Sequence, residues 1–197
     1  MQHGRYVRRV DAVDQMQRAF AIATSVLQGV RSDQWTSRSP CEGWTVRDVV
    51  NHMVGGAKMV SVCLSGHGEG VNFYVDHLRG LDPVETYEME SAAAVAVYRI
   101  DPSLVARTMP MPWGEATGSA VAAMFMGDHF VHAWDVAKAT GQSTDLDPEM
   151  AELVRRFAHD YVDVGQRRGP EMFDDERSAP PDASAADRLA AYLGRRV

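Results

Sequence analysis

The chain has 197 residues, of which 45% are hydrophobic and 24% charged, and its formal net charge is −7. That length suits one domain with a sizeable core. The acidic balance argues against a nucleic-acid surface, which needs clustered Lys and Arg.

The basic pairs Arg8-Arg9, Arg155-Arg156, Arg167-Arg168 and Arg195-Arg196 are scattered, and they read as solvated faces or helix ends. Two cysteines, Cys41 and Cys63, make no disulfide framework and fit a reducing compartment. The first twenty residues lack the apolar core of a signal peptide. No apolar run reaches the roughly 18 residues of a membrane span. The expected location is the cytoplasm.

Residues 10–30 place Val13, Met16, Phe20, Ala23, Leu27 and Val30 at helical spacing, which predicts a bundle helix. Residues 32–43 are polar and broken by Ser39-Pro40. Thr45 followed three residues later by Asp48 has the form of a capping box, so a second helix starts near Val46. Gly55 and Gly56 weaken that helix by about 1 kcal/mol each relative to Ala; they permit either a close helix approach or a kink. Residues 64–82 carry no clear pattern.

Asp82-Pro83 opens a third helix that runs to about Tyr98. The stretch RTMPMPWGEATG holds two prolines and two glycines, so an extended or hairpin-like connection is expected there. A fourth helix runs from about Ser119 to Thr140, closed by Gly141. Asp147-Pro148 starts a fifth, with Met150, Leu153, Val154, Phe157, Tyr161 and Val162 at helical spacing. DDERSAPPDASAAD reads as a solvated linker before a short closing helix in ADRLAAYLGRR. No repeat and no convincing strand alternation occur. The sum is an all-α domain of four or five long helices.

The fourth helix contains GDHFVHAWDVAKATG, residues 127–141. On a helical wheel Asp128 and His132 stack one turn apart on one face, and Asp135 follows a further turn on. Apolar residues surround them on nearly every side, so the helix is expected to be buried over most of its circumference. A buried carboxylate costs several kcal/mol unless compensated. Either an Asp128–His132 ion pair at a rim or a shared divalent cation supplies the compensation.

A cation needs a further ligand, and the candidates are His3, His52, His67, His77, His129 and His159. His52 stands apart because it lies mid-helix among Val49, Val50, Met53 and Val54. One His from one helix plus an i, i+4 pair from another is a known way to hold a metal in a bundle. Asp135 or Asn51 either orients a ligand imidazole from outside or serves as an ordinary polar residue. His129 is a solvated side chain in the first reading, with a pocket-lining residue or a proton donor as alternatives. Trp44 and Trp134 read as core before pocket lining, and Cys41 as a small buried hydrophobe before an exposed thiol whose pKa the start of the second helix lowers. The eleven methionines are dispersed and fit adaptable packing. The chain has no Gly-x-Ser-x-Gly elbow, Gly-x-Gly-x-x-Gly or P-loop pattern.

SPCEGWTVRDVVNHMVGG together with GDHFVHAWDVAKATGQ resembles the DinB/YfiT-like superfamily. More closely, it is similar to the metal-binding amino-terminal domain of mycothiol-dependent maleylpyruvate isomerase. The tail FDDERSAPPDASAADRLAAYLGRR resembles the end of a stand-alone actinobacterial subfamily of that group. The resemblance implies a DinB-like four-helix bundle with extra short C-terminal helices, with residues 1–197 forming a single domain. It also implies a metal between the helices, held by His52, Asp128 and His132, with open positions for water or a thiol. Asp128 stands where isomerase relatives carry Glu.

After Gly165 only about thirty residues remain, too few for the isomerase's second domain, so maleylpyruvate isomerisation itself is not expected. The expected activity is a thiol S-transfer with mycothiol as co-substrate, on an electrophile the sequence does not name. Zn²⁺ is the first choice of metal, with Ni²⁺ or Fe²⁺ also compatible. The alternative is a metal-binding sensor or helper without catalysis. A homodimer through a helix face is left open, and neither a nucleic acid nor a membrane is an expected partner.

Overall fold

The computed structural model describes residues 12–67, 72, 75–165, 168–169 and 173–197. Four long helices form the bundle: α1 (Ala12–Gln28), α2 (Val46–Leu64), α3 (Pro83–Ile100) and α4 (Gly118–Thr140). Two shorter helices follow, α5 (Pro148–Ala158), which continues into a wide π-type turn over His159–Val164, and α6 (Ala185–Tyr192). The fold is therefore all-α with extra short C-terminal helices, as expected.

Local chemistry sets most boundaries. Thr45 and Asp48 form the reciprocal capping box of α2: Thr45 Oγ1 accepts from the Asp48 amide, and Asp48 Oδ2 accepts from the Thr45 amide. Asp82 caps α3 by accepting from the amides of Val84 and Glu85, with Pro83 next in line. Thr117 caps α4. Gly141, at φ 70°, ends it in the left-handed region that glycine enters without strain.

The connection between α3 and α4 is a small antiparallel hairpin, β1 (Thr108–Met111) with β2 (Gly114–Thr117), in register Met109 to Ala116. Met109 and Met111 point into the core while the alternate residues are exposed. Trp113 sits at its tip, 48% exposed.

α4 is the central helix. It packs against α1, α2, α5 and α6, and residues around nearly its whole circumference are buried. One side of the core gathers Met16, Phe20, Met59, Phe125, Met126, Phe130 and Trp134. The other gathers Leu27, Val46, Val50, Met53, Tyr87 and Val136. Among the described residues no helix is long and apolar enough to cross a membrane.

Candidate metal centre

α2 and α4 come close together at Gly56. A Cβ there would lie 2.9 Å from Phe125 Cε1 and 3.3 Å from His129 Nε2, so the glycine allows an approach that a larger residue obstructs. Of the two readings of the glycine pair, close approach is the one realised at Gly56. His52 lies one turn before Gly56, which sets its imidazole opposite Asp128 on α4.

His52, Asp128 and His132 converge. His52 Nε2 is 3.4 Å and His132 Nε2 3.6 Å from the same oxygen, Asp128 Oδ1. The donor atoms of the three residues all lie within 4.8 Å of one another. The two imidazole rings stand edge to face at 5.0 Å. These separations are long for charge-assisted hydrogen bonds. They match the edge of a tetrahedron around Zn²⁺, where donors at about 2.0–2.1 Å from the metal stand roughly 3.3 Å apart. Asp128 Oδ2 is buried without a hydrogen-bond partner among the described residues. An N, N, O donor set with an uncompensated carboxylate oxygen fits a divalent cation.

The three groups act on one another electrostatically. Burial pushes the Asp128 carboxyl up, but His132 and His52 outweigh it and hold its pKa well below the usual carboxylate range. Burial pulls His52 down, and Asp128 more than reverses this and raises it.

A second layer lies behind His132. Its Nδ1 is 2.9 Å from Asp135 Oδ2, and Asp135 is fully buried. With Nδ1 turned to that carboxylate, the Nε2 side of the ring faces His52 and Asp128. Arg195, from the tail, grips Asp135 with two bonds, Nε to Oδ1 at 2.9 Å and Nη2 to Oδ2 at 3.0 Å. Burial pushes Asp135 up, while Arg195 and His132 prevail and keep it ionised.

Cys41 Sγ reaches the same Oδ2 at 3.3 Å. Burial, with Asp135 next to it, pushes the thiol up to about 12. Cys41, His132 and Asp135 also form a compact donor trio. However, the guanidinium occupies both Asp135 oxygens, so a cation there would meet like charge.

Several sequence expectations need correction. His129 is not solvated. It is fully buried, its Nδ1 lies 2.7 Å from the Tyr87 hydroxyl, and its ring packs 4.5 Å from Phe20. A helix apolar all round has no polar face to put it on. Trp44 is not a core residue: it is 37% exposed, with its ring 5.3 Å from that of His52 and stacked 6.3 Å from that of His132. It sits in the loop before α2, where the chain is not constrained to face inward.

Arg195 is not a solvated end, because its charge is spent on Asp135. Asn51 supports a loop, donating to the Val75 carbonyl and accepting from the His77 amide. His77 bonds the Asn72 carbonyl, and His159 is exposed beside Asp160. His3 lies outside the described residues.

The centre opens into a cleft of about 1300 Å³. Trp44 and Trp113 contribute indoles to its lining, Met124 and Phe125 apolar surface, and Arg38 and Arg177 positive charge.

The mycothiol maleylpyruvate isomerase N-terminal domain family matches residues 16–137. Two uncharacterized proteins, from two strains of Mycobacterium tuberculosis, are each 37% identical to this chain over 183 residues, covering 92% of it and 96% of their own length. Crystal structures of the mycothiol-dependent maleylpyruvate isomerase and of a mutant of it superpose with a TM-score of 0.54 at 15% identity. The match covers 74% of this chain and 65% of the isomerase chain, just under two thirds of that protein. At this identity the likeness is one of fold.

Proposed function

The chain belongs to the mycothiol maleylpyruvate isomerase N-terminal domain family, and on that premise we propose that it is a divalent-metal-dependent thiol S-transferase. His52, Asp128 and His132 are the metal ligands, mycothiol or a related low-molecular-weight thiol is the co-substrate, and a small electrophile is the acceptor. The reading treats residues 1–197 as one domain working in the cytoplasm.

One observation carries it: two imidazole nitrogens from separate helices stand 3.4 and 3.6 Å from one carboxylate oxygen whose partner oxygen is buried and unsatisfied. Zn²⁺ suits this donor set, as do Fe²⁺ and Ni²⁺. When bound, such a cation supplies positive charge that lowers the pKa of a coordinated thiol or water toward neutrality.

The residues of the chain have distinct tasks. His52 and His132 present imidazole nitrogens, and Asp128 contributes a carboxylate oxygen. Asp135 holds the Nδ1 proton of His132 and so fixes the ring. Cys41, kept as a neutral thiol, does not compete as a nucleophile. Trp44 covers the imidazoles on the cleft side and limits water there.

The test begins with metal analysis of protein purified without a histidine tag. Stoichiometric metal is expected in the wild type and its loss in His52→Ala, Asp128→Asn and His132→Ala; retention in these variants would show the ligands to be wrong. Thiol consumption with mycothiol and a panel of electrophiles then tests turnover. Metal binding with no turnover across the panel favours a sensor or helper role.

A further inference from the structure

We infer that Arg195 is a positioning residue of the metal centre: its guanidinium fork fixes Asp135, and through Asp135 the imidazole of His132. The inference rests on the reading of His52, Asp128 and His132 as metal ligands.

The geometry is that of a paired fork. Arg195 uses two nitrogens on two oxygens of a carboxylate that is fully buried, and its own side chain is only 15% exposed. Planar bidentate pairing defines the carboxylate plane as well as compensating its charge. Asp135 Oδ2 therefore points at His132 Nδ1 along one direction, and the ring cannot rotate about its bond to the helix without losing that partner. A lysine supplies a point charge without the fork and leaves the carboxylate plane free.

The tail holds the arginine backbone in place from several sides. Its amide donates to the Ala190 carbonyl at 3.0 Å. Just before it, the Gly194 carbonyl accepts from Arg177 Nε, and the Tyr192 carbonyl accepts from Arg168 Nη1 at 3.0 Å. α6 is tied to α4 by Trp134 Nε1, which donates to Asp187 at 2.8 Å. The tail is therefore an anchored strap, and the side chain it delivers ends on a residue that orients a proposed ligand. A salt bridge serving only to join tail and bundle needs no contact with His132, yet Asp135 Oδ2 is shared between the guanidinium and that imidazole.

The test is Zn²⁺ affinity, measured by competition with a chromophoric chelator on the full chain, with Co²⁺ ligand-field spectra as a second readout. Outer partners of metal ligands typically alter affinity by roughly 10- to 100-fold. Arg195→Ala is expected to bind Zn²⁺ within that range more weakly and to recover when millimolar guanidinium ion is added. Arg195→Lys, which keeps the charge and protects the fold, is expected to bind about 10-fold more weakly, with shifted Co²⁺ bands.

If Arg195→Ala does not fold, Arg195→Lys decides alone. Wild-type affinity and an unshifted Co²⁺ spectrum in Arg195→Lys would overturn the inference. His132→Ala separates the two levels. If it loses Zn²⁺ while the Arg195 variants keep wild-type affinity, the centre stands and the arginine's role is wrong. If His132→Ala itself binds as wild type, the centre is misassigned and the inference falls with it.

Discussion

Asp128 Oδ2 and His129 Nε2 face each other at 3.9 Å, and both are buried without a hydrogen-bond partner among the described residues. The Tyr87 hydroxyl and His129 Nδ1 share a hydrogen bond at 2.7 Å on the other side of the ring. A Tyr87–His129 pair thus backs Asp128 from the core.

Tyr87→Phe removes one partner of a fully buried pair and strands Nδ1. The expected loss of stability is about 1–3 kcal/mol, the cost of an unsatisfied buried polar atom. Urea denaturation of the metal-stripped protein measures it. An unchanged midpoint would show that Tyr87 contributes shape alone.

The pH dependence of the metal-stripped protein has a definite sign. Burial pulls the His129 pKa down to about 3 from an ordinary 6.5. Between those values the unfolded chain binds a proton that the folded chain refuses, so stability falls as the pH drops from 6.5. One pKa unit corresponds to about 1.4 kcal/mol, so this group removes about 2 kcal/mol between pH 6.5 and 5.

Asp128 and Asp135, both held below the usual range, add their losses only further down, as the pH falls from their ordinary value of 3.8 through their folded values. His52 runs the other way: its pKa is raised, so its contribution is complete below 6.5 and is lost as pH rises through the folded value. Denaturation of EDTA-treated protein at several pH values should show the upper leg flattened in His129→Gln. Parallel curves would remove His129 as its source.

Gly56→Ala gains about 1 kcal/mol of helix propensity but sets its Cβ 2.9 Å from a buried Phe125 ring carbon. Overpacking of this kind costs about 1–3 kcal/mol. The net expectation is a small loss of stability together with weaker Zn²⁺ binding, because the helix crossing that aligns His52 with Asp128 is forced apart. Melting curves with and without Zn²⁺ resolve the two effects, and a fully retained Zn²⁺ increment would dissociate the crossing from the site.

Cys41, with its pKa pushed up to about 12 by burial and by Asp135, is a neutral thiol at physiological pH. Since the thiolate is the reactive species, iodoacetamide at pH 7.5 is expected to label Cys41 on the order of 1000-fold more slowly than a free cysteine of pKa about 8.5. Peptide mass spectrometry of native and urea-unfolded protein gives the comparison. Rapid native labelling would place the thiol in a very different environment.

Much of the bundle was legible because its signals are local. Thr45 with Asp48, Asp82-Pro83, Asp147-Pro148 and Gly141 each mark a boundary through chemistry within one turn of the chain. Asp128 and His132 share a face by helical periodicity alone, and His52 stood out by its apolar setting.

What stayed hidden depends on distant partners. Arg195 and Asp135 are 60 residues apart, and an arginine doublet near a chain end looks the same whether solvated or buried. Tyr87 and His129 meet across 42 residues. α4 is apolar on all sides, so its period gave no outward face, and His129 could not be placed by it.

The crossing at Gly56 also bears on which ion would fit. The spacing between His52 and the Asp128/His132 pair follows from the close approach of α2 and α4 at Gly56, beside the Phe125 and His129 rings. On the proposal that these residues hold a cation, two imidazole nitrogens and one carboxylate oxygen at that spacing would favour a small borderline ion such as Zn²⁺ over Ca²⁺, which requires six to eight oxygens at longer range.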